Sequence, residues 1–459
     1  MRRLLPLGTA LALALVVPAM PAHATPATSS PTASQVKASP EWTSTVVAVT
    51  PKAEKKAGKK GRYTKFALAG GGYGTRIEGG ALPASSGRTA HKVIGCTNEA
   101  GLVRRNSLAG VTIPGLGEVG AITTTNRTRK FKSGRVASIT QQKIAGITLM
   151  NNAFGKLELG AISTRAEAYH DPKTGFGTNI STNLLSLWFT PTGGKRTGFD
   201  VPLPGRPVNI PGLGRISLGN QESKVNKSRA IARADALEVY IAPTKTRIRV
   251  AHSSAKIFDE IKTGLFRGRA STLDAKALAG LLDVGRTQNI VMPCSGTGGK
   301  VKQDSVLDVN LPGVLEVSVG GSRQMGKQNG RKAWGYEEAS LARVALGGDM
   351  LVIDGIKASV KATRLRSQKA NSRTKVDTSG TTIGAITVNG ETMSAPQDIP
   401  SIEIPGLPLL SVKFNVVERG KWGAKAIAVQ LGVLDVNSEL YGAKINLGVA
   451  TLKIYDAKR

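Results

Sequence analysis

The feature that most constrains the fold is a stretch of sequence that occurs twice at a fixed distance. Residues 87–119 align with residues 285–317 without a gap, and 13 of the 33 positions are identical. A second landmark, Ile-Pro-Gly-Leu, follows at 210–213 and 404–407. The distance between equivalent landmarks of the two copies is far longer than the period of a solenoid repeat. The sequence therefore predicts two related domains, at 63–257 and 284–459, that arose by internal duplication.

Both copies have the pattern of β-strands. Apolar Ile248 and Val250 alternate with Arg247 and Arg249, which predicts a strand with one apolar and one basic face. The repeated Pro-Gly pairs fit type II turns, and the 54 glycines favour turns and strands. We expect a mainly β protein in which each domain is a sandwich-like pair of antiparallel sheets.

One segment between the copies has a helical pattern instead. Residues 271–282 begin with Ser and Thr, which can cap a helix, and continue with Ala and Leu at helical spacing. We predict a short helical connector at 258–283.

The N-terminus predicts export. Arg2 and Arg3 precede the apolar run 11–17, and residues 22–24 read Ala-His-Ala, a spacing that a signal peptidase recognises. We predict a signal peptide at 1–24 and a flexible, basic linker at 25–62, which is rich in Thr, Ser, Pro, Ala and Lys. With no second apolar run and no sorting motif, we expect no membrane span and a secreted or cell-wall-associated protein.

The charge predicts anionic partners. Lys and Arg total 63 against 31 for Asp and Glu, a net charge of +32, so we expect anionic cell-wall polymers to bind. Aromatic residues make up only 4%, which argues against nucleic acid as the evolved ligand because bases would lack stacking partners. Trp334 and Trp422 follow basic residues and could contact a polyanion, although packing is the favoured role. The candidate polyanion contacts are Lys55, Lys56, Lys59, Lys60, Arg247, Arg249, Trp334 and Trp422.

A set of turn and strand motifs resembles a known group. The motifs are Gly74-Thr75-Arg76, Gly87-Arg88-Thr89, Gly95-Cys96-Thr97, the Ile-Pro-Gly-Leu at 113–116, the Gly-Ala-Ile-Thr-Thr-Thr at 120–125, and the Ile-Thr-Val-Asn-Gly at 386–390 with Ile-Pro-Gly-Leu at 404–407. They resemble the secreted actinobacterial proteins of the choice-of-anchor P family. The resemblance implies export and a cell-envelope setting, and it supplies no biochemical activity. Members often end in an anchoring segment, and we expect this chain to lack one.

The sequence offers little catalytic chemistry. After the predicted signal peptide the histidines are His91, His170 and His252, which lack metal-binding spacing, and there is no GxSxG motif. Glu118 and Glu316 recur at matching positions, and a structural role for them is favoured over an acid pair. We predict no catalytic residue, metal or cofactor, although a catalytic set assembled from distant loops stays open.

The two cysteines occupy equivalent places in the two copies. Cys96 and Cys294 are the only cysteines of the chain. In an exported protein they can form a disulfide between the domains, and the alternative is two buried, unpaired thiols.

These observations favour an exported, non-enzymatic structural or binding protein of the cell envelope, held by charge to anionic wall polymers. The alternatives are an exported hydrolase acting on polysaccharide or peptide, and an adhesin or matrix component.

Overall fold

The computed structural model describes residues 63–79, 85–86, 88–113, 117–152, 155–200, 202, 206–210, 214–242, 245–277, 282–287, 289–311, 315–346, 349–368, 372–394, 401–403, 410–435 and 438–457. They all belong to one compact unit, Lys56–Arg459. The predicted signal peptide, the basic linker and the repeated Pro-Gly pairs lie outside the described residues.

The first half of the chain consists of twenty strands within the described residues. They are β1 (Tyr63–Gly79), β2 (Ser85–Ser86), β3 (Lys92–Glu99), β4 (Val103–Leu108), β5 (Val111–Ile113), β6 (Gly117–Val119), β7 (Ile122–Lys130), β8 (Val136–Ile144), β9 (Ile147–Asn152), β10 (Gly155–Leu159), β11 (Ile162–Asp171), β12 (Gly175–Leu184), β13 (Leu187–Pro191), β14 (Thr197–Phe199), β15 (Val208–Ile210), β16 (Gly214–Leu218), β17 (Gln221–Asn226), β18 (Arg229–Ala234), β19 (Leu237–Ile241) and β20 (Thr246–Glu260).

The second half continues with longer strands. They are β21 (Gly264–Ala277), β22 (Leu282–Thr287), β23 (Ile290–Val291), β24 (Lys302–Leu311), β25 (Leu315–Gln328), β26 (Lys332–Leu346), β27 (Leu351–Leu365), β28 (Lys375–Asp377), β29 (Ala385–Val388), β30 (Glu391–Ser394), β31 (Ser401–Glu403), β32 (Leu410–Gly420), β33 (Gly423–Asp435) and β34 (Ser438–Asp456).

Antiparallel sheets account for all of this pairing, which confirms the predicted mainly β class. One large sheet contains β1 beside β20 and β3, and β21 beside β34, and it is continuous through the pairing of β2 with β22. In the first half two further sheets have the orders β4-β7-β8-β11-β12 and β5-β6-β9-β10-β13-β14. In the second half one further sheet has the order β24-β25-β26-β27-β29-β30.

Each half of the chain forms its own apolar clusters. One cluster of buried side chains draws on residues between Phe266 and Ile454, and two others draw on residues between Phe66 and Ile257. A small fourth cluster, with Ala67, Phe258, Leu265 and Cys294, contains residues of both halves. Ile248 and Val250 are buried, as the alternating pattern of their strand predicts.

The predicted helical connector at 258–283 is wrong within the described residues. Residues 264–277 form β21, which pairs with β34 along its length and with β22 near its end. Two flanking strands satisfy the backbone hydrogen bonds of β21 from both sides, and this tertiary pairing outweighs the local helical preference of its Ala and Leu residues. Residues 278–281 lie outside the described residues.

Candidate functional site

A cleft of about 810 Å³ is lined by residues of β1, β3, β17, β18, β20 and β21, and we call it the basic cleft. Its basic side chains are Arg76, Arg88, Arg233, Arg249, Lys256, Arg267 and Arg269, and its carboxylates are Glu222 and Asp235. The cationic groups clearly outnumber the anionic ones, so the cleft has a positive potential.

Strand register explains why these residues converge. Arg76 on β1 lies directly opposite Arg249 on β20, and Ala69 lies opposite Lys256. Arg233 on β18 lies opposite Ser254 of β20. Residues at alternate positions of neighbouring strands share a face, so separate parts of the sequence contribute to one surface.

Tyr73 and His252 both line the basic cleft. Their rings stack with centroids 4.6 Å apart, and Nδ1 of His252 is 2.7 Å from Oδ1 of Asp235. The Arg88 guanidinium lies 5.4 Å from the Tyr73 ring centroid. Burial, aided by the charge of Asp235, raises the pKa of Tyr73 to about 12. Tyr73 is therefore a neutral hydroxyl at physiological pH, and the Asp235 carboxylate fixes the orientation of the His252 ring.

The other polar groups of the cleft are held by their neighbours. Glu222 Oε2 accepts a hydrogen bond from Arg233 Nη1 at 2.6 Å. Burial lowers the pKa of Lys256, and the charge of Arg233 acts in the same direction. Burial also lowers the pKa of His91, followed by the charges of Arg88 and His252. His91 is therefore neutral at physiological pH, and Arg and Lys supply the positive charge of the cleft.

The second half of the chain contributes one wall of the cleft. Arg267 and Arg269 are alternate residues of β21, and Thr451 of β34 lies beside them, opposite Arg269. The Arg267 guanidinium packs so closely against Gly95 that a Cβ at that position would overlap it. The cleft thus takes charged groups from both halves of the chain.

A disulfide joins the halves beside this wall, which confirms the predicted pairing. Cys96 on β3 is bonded to Cys294, which follows β23, and their Cα atoms are 5.4 Å apart. The Cys294 carbonyl accepts a hydrogen bond from the backbone N–H of Phe266 on β21 at 2.9 Å. The bond therefore fixes β3 next to β21.

The predicted polyanion contacts do not form one site. Arg249 lines the basic cleft, whereas Arg247 lines a separate shallow depression with Arg215 and Tyr240. Arg247 is also ion-paired with Glu238, its Nε lying 3.1 Å from Oε1. The remaining basic candidates, Lys55, Lys56, Lys59 and Lys60, lie outside the described residues.

Trp334 and Trp422 are half-buried and each lies beside cations. Lys332 Nζ is 4.7 Å from the Trp334 ring centroid, and the Arg364 guanidinium is 4.6 Å from that of Trp422. Arg364 is itself fully buried and paired with Asp456. Neither tryptophan lines the basic cleft.

Sequence reasoning missed Tyr73, Asp235 and His252 as residues of the basic cleft. The contacts of His252 with Tyr73 and Asp235 had no sequence signal, because these residues are brought together only by strand pairing. His170 packs against Phe66, with ring centroids 4.4 Å apart. In the part of the chain that the structure describes, no group of three or more His, Cys, Asp or Glu could hold a metal ion. No helix among the described residues could span a membrane.

Comparisons with known proteins give no family. No family model matches the chain. No curated protein matches it either. Among solved structures, the chain is similar to a Pseudomonas aeruginosa FadL homologue at 9% identity over 86% of this chain and 90% of that one, with a TM-score of 0.11. A TM-score this low carries no argument about fold or function, so the resemblance to the choice-of-anchor P family stays a prediction.

Proposed function

We propose that the chain is an exported, non-enzymatic protein of the cell envelope that is held by charge to anionic wall polymers in the basic cleft. The observation that carries this proposal is the convergence of Arg and Lys side chains from β1, β18, β20 and β21 on one concave surface with only two carboxylates among its lining residues. A polymer with regularly spaced phosphates or carboxylates could neutralise several of these charges at once and release its counterions.

The arrangement of charge in the cleft favours an anionic ligand. Arg76 and Arg249 lie directly opposite each other on paired strands, and like charges in that position destabilise a sheet. Glu238 is near Arg249, 3.9 Å from its Nε, but it is shared with Arg247. An anion bound in the cleft would interact favourably with both arginines, and a ligand that binds only the folded protein stabilises it.

A hydrolase acting on the same polymer is the second candidate. The observation that favours it is the contact between Asp235 and His252, because a carboxylate that orients an imidazole is a common part of general acid–base catalysis. Replacing His252 by Ala separates the two candidates: a binding protein keeps its ligand and yields no product with or without the histidine.

We also propose that the two halves arose by duplication and that the protein is exported, in line with its resemblance to choice-of-anchor P proteins. The strand order supports the duplication: β1 pairs with β20 and β3, and β21 pairs with β34 and β23. A further support is a shared buried contact. The Asn126 amide donates to the Lys92 carbonyl at 3.0 Å. Gln324, 198 positions after Asn126, donates its amide to the carbonyl of Val291 at 3.2 Å, which is one position beyond the equivalent of Lys92.

The binding proposal is tested by calorimetric titration of the protein with purified teichoic acid and with polygalacturonate at rising salt. We expect the affinity to fall at least about tenfold between 50 and 200 mM salt. At low salt the double variant R76S/R249S should bind the polymer about tenfold more weakly than the wild type. The matched control R104S/R105S removes the same charge from exposed positions of β4 and should stay within about twofold of the wild type.

Two outcomes would overturn the proposal. Affinity that does not change with salt would show that charge does not hold the polymer. Equal losses in the two double variants would show that the overall charge binds and that the basic cleft does not.

A further inference from the structure

A second concave surface lies outside the basic cleft, on the sheet formed by β5, β6, β9, β10, β13 and β14. It has a volume of about 640 Å³, and we call it the trough. One row of directly opposed residues crosses it: Glu118 on β6 faces Thr148 on β9, which faces Glu158 on β10, which faces Trp188 on β13. Neighbouring strands lie about 4.8 Å apart, so the row extends over roughly 14 Å.

This row is on the outer face of its sheet. The flanking residues Leu157, Leu159, Leu187 and Phe189 point to the opposite face and are buried. Trp188 is 36% exposed although it is the largest side chain type. An indole placed on the outer face is not needed by the core, which raises the question of what it contacts.

Small residues at the ends of the strands line the trough. The strands of this sheet break from those of its neighbour at Gly120, Gly146, Gly160 and Ser186, all of which line the trough. Backbone hydrogen bonds join these positions in pairs. The Gly120 N–H donates to the Gly146 carbonyl at 2.8 Å, and the Gly160 N–H donates to the Ser186 carbonyl at 2.9 Å. A Cβ on Gly160 would overlap the Ser186 hydroxyl. Small residues therefore keep the trough open beside the polar row.

The side chains at the Trp188 end are held in place before any ligand arrives. The Arg196 guanidinium lies 4.4 Å from the indole centroid, and its Nε is 3.0 Å from Glu158 Oε2. Lys156 Nζ is 3.0 Å from the other oxygen of Glu158. The hydrogen bond from Lys156 and the charge of Arg196 lower the pKa of Glu158 despite some desolvation. The carboxylate is ionised and is a hydrogen-bond acceptor, not a proton donor for hydrolysis.

The equivalent row of the second half, within the described residues, has different side chains. Glu316 recurs 198 positions after Glu118, but it lies opposite Ala345, which lies opposite Val352 and then Thr387. Ala345 and Val352 are buried. The β-fold therefore does not require two carboxylates and an indole in line, and their presence in the first half calls for a function.

From this geometry we infer that the trough binds a short stretch of an uncharged, linear glycan, with the sugar chain running across the strands from Trp188 to Glu118. The C–H face of a pyranose ring packs against the indole and guanidinium plane, because the negative face of the aromatic ring attracts the partly positive hydrogens. Glu118 and Glu158 accept hydrogen bonds from the ring hydroxyls, and Arg196 donates hydrogen bonds to them. The two carboxylates in the row disfavour the polyanions proposed for the basic cleft.

The proposal is tested by calorimetric titration of the full protein with cellotetraose, chitotetraose, xylotetraose and maltotetraose, together with tryptophan fluorescence. We expect at least one tetrasaccharide to bind, with an affinity that changes less than about twofold between 50 and 200 mM salt, because no counterions are released. W188A should lower that affinity at least tenfold, and W188F should recover most of the loss.

Matched variants separate this site from the basic cleft. W334A removes an indole elsewhere and R76S/R249S removes charge from the basic cleft, and both should bind the tetrasaccharide as the wild type does. E118Q, an exposed substitution, should weaken binding several-fold without changing the fold. The proposal is overturned if none of the four sugars binds at millimolar concentration, or if W188A binds as tightly as W334A.

Discussion

At the residue scale, the most unusual group is the carboxyl of Glu337 on β26. It is fully buried, and neither of its oxygens has a hydrogen-bond partner among the described residues. The first half has a neutral group in this place: Thr140 lies opposite Asn126 as Glu337 lies opposite Gln324, and its hydroxyl is 2.7 Å from Asn126 Oδ1. Burial raises the pKa of Glu337 well above its usual value, and the charge of Arg269 only partly opposes this.

The raised pKa of Glu337 makes the protein less stable as the pH rises. The unfolded state ionises this carboxyl near its ordinary pKa of 4.5, whereas the folded state stays protonated until its own, higher pKa. The stability from this group is present below pH 4.5 and is lost as the pH rises through the folded pKa. We expect E337Q to be more stable than the wild type at pH 7.5, by about 1 kcal/mol or more, and similar to it at pH 4. Urea unfolding at both values measures the difference.

The neighbouring Glu338 is the control, because its shift has the opposite sign. Burial raises the pKa of Glu338, but the hydrogen bond from Arg323 and the charge of Lys357 outweigh it, so the pKa is lowered. The stability that ionised Glu338 gives the folded protein is present above the pKa of this group in the unfolded state. It is lost as the pH falls through the pKa of Glu338 in the folded state. E338Q should therefore be less stable than the wild type at pH 7.5. If E337Q and E338Q change stability in the same direction at that pH, the argument for Glu337 fails.

At the scale of elements, β1 is distinguished by Gly70, Gly71 and Gly72. A Cβ on Gly70 would lie 2.8 Å from Thr140 Oγ1, and one on Gly72 would lie 2.7 Å from the His252 carbonyl oxygen. Real side chains do not approach so closely, so β1 and β8 can pack at this distance only through glycine. The same glycines keep the β1 backbone accessible in the basic cleft.

Substituting one of these glycines tests the close packing. G72A should destabilise the protein by about 1–3 kcal/mol, because the added methyl group must displace backbone atoms. G321A is the matched control on β25, where the nearest atom to a Cβ is 3.7 Å away, and it should change stability by less than about 0.5 kcal/mol. Thermal unfolding measures both, and equal melting temperatures for the two variants would contradict the packing argument.

The sequence predicted elements where one local pattern decided the structure. The alternation around Ile248 and Arg249 predicted a two-faced strand, and that prediction is confirmed by the buried Ile248 beside Arg249 of the basic cleft. Prediction from a local pattern failed at residues 271–277, where the spacing of Ala and Leu is helical but the backbone pairs with β34. A local pattern cannot report a partner that is more than 160 residues away.

At the scale of the whole molecule, the candidate site could not be predicted from the sequence for the same reason. Tyr73, Asp235, His252 and Arg269 meet only because β1, β18, β20 and β21 belong to one sheet. The net charge predicted an anionic partner without indicating where it binds. The equivalent positions of Cys96 and Cys294 offered a disulfide as one of two alternatives, and the structure has the bond. The division into domains at 257 and 284 stays a prediction, although the apolar clusters change near it.

The disulfide has a further consequence for how the molecule unfolds. It closes a loop of 198 residues and lies in the small cluster that both halves share, apart from their separate apolar cores. The free energy of unfolding of the double variant C96S/C294S should be about 2–5 kcal/mol lower than that of the wild type, because its unfolded chain is less restricted. With this junction weakened, scanning calorimetry should resolve two transitions, one for each core, where the wild type has one. The variant should also bind teichoic acid more weakly, because Arg267 and Arg269 are no longer fixed against β3. A single transition at the wild-type temperature would mean that the pairing of β2 with β22 joins the halves without the bond.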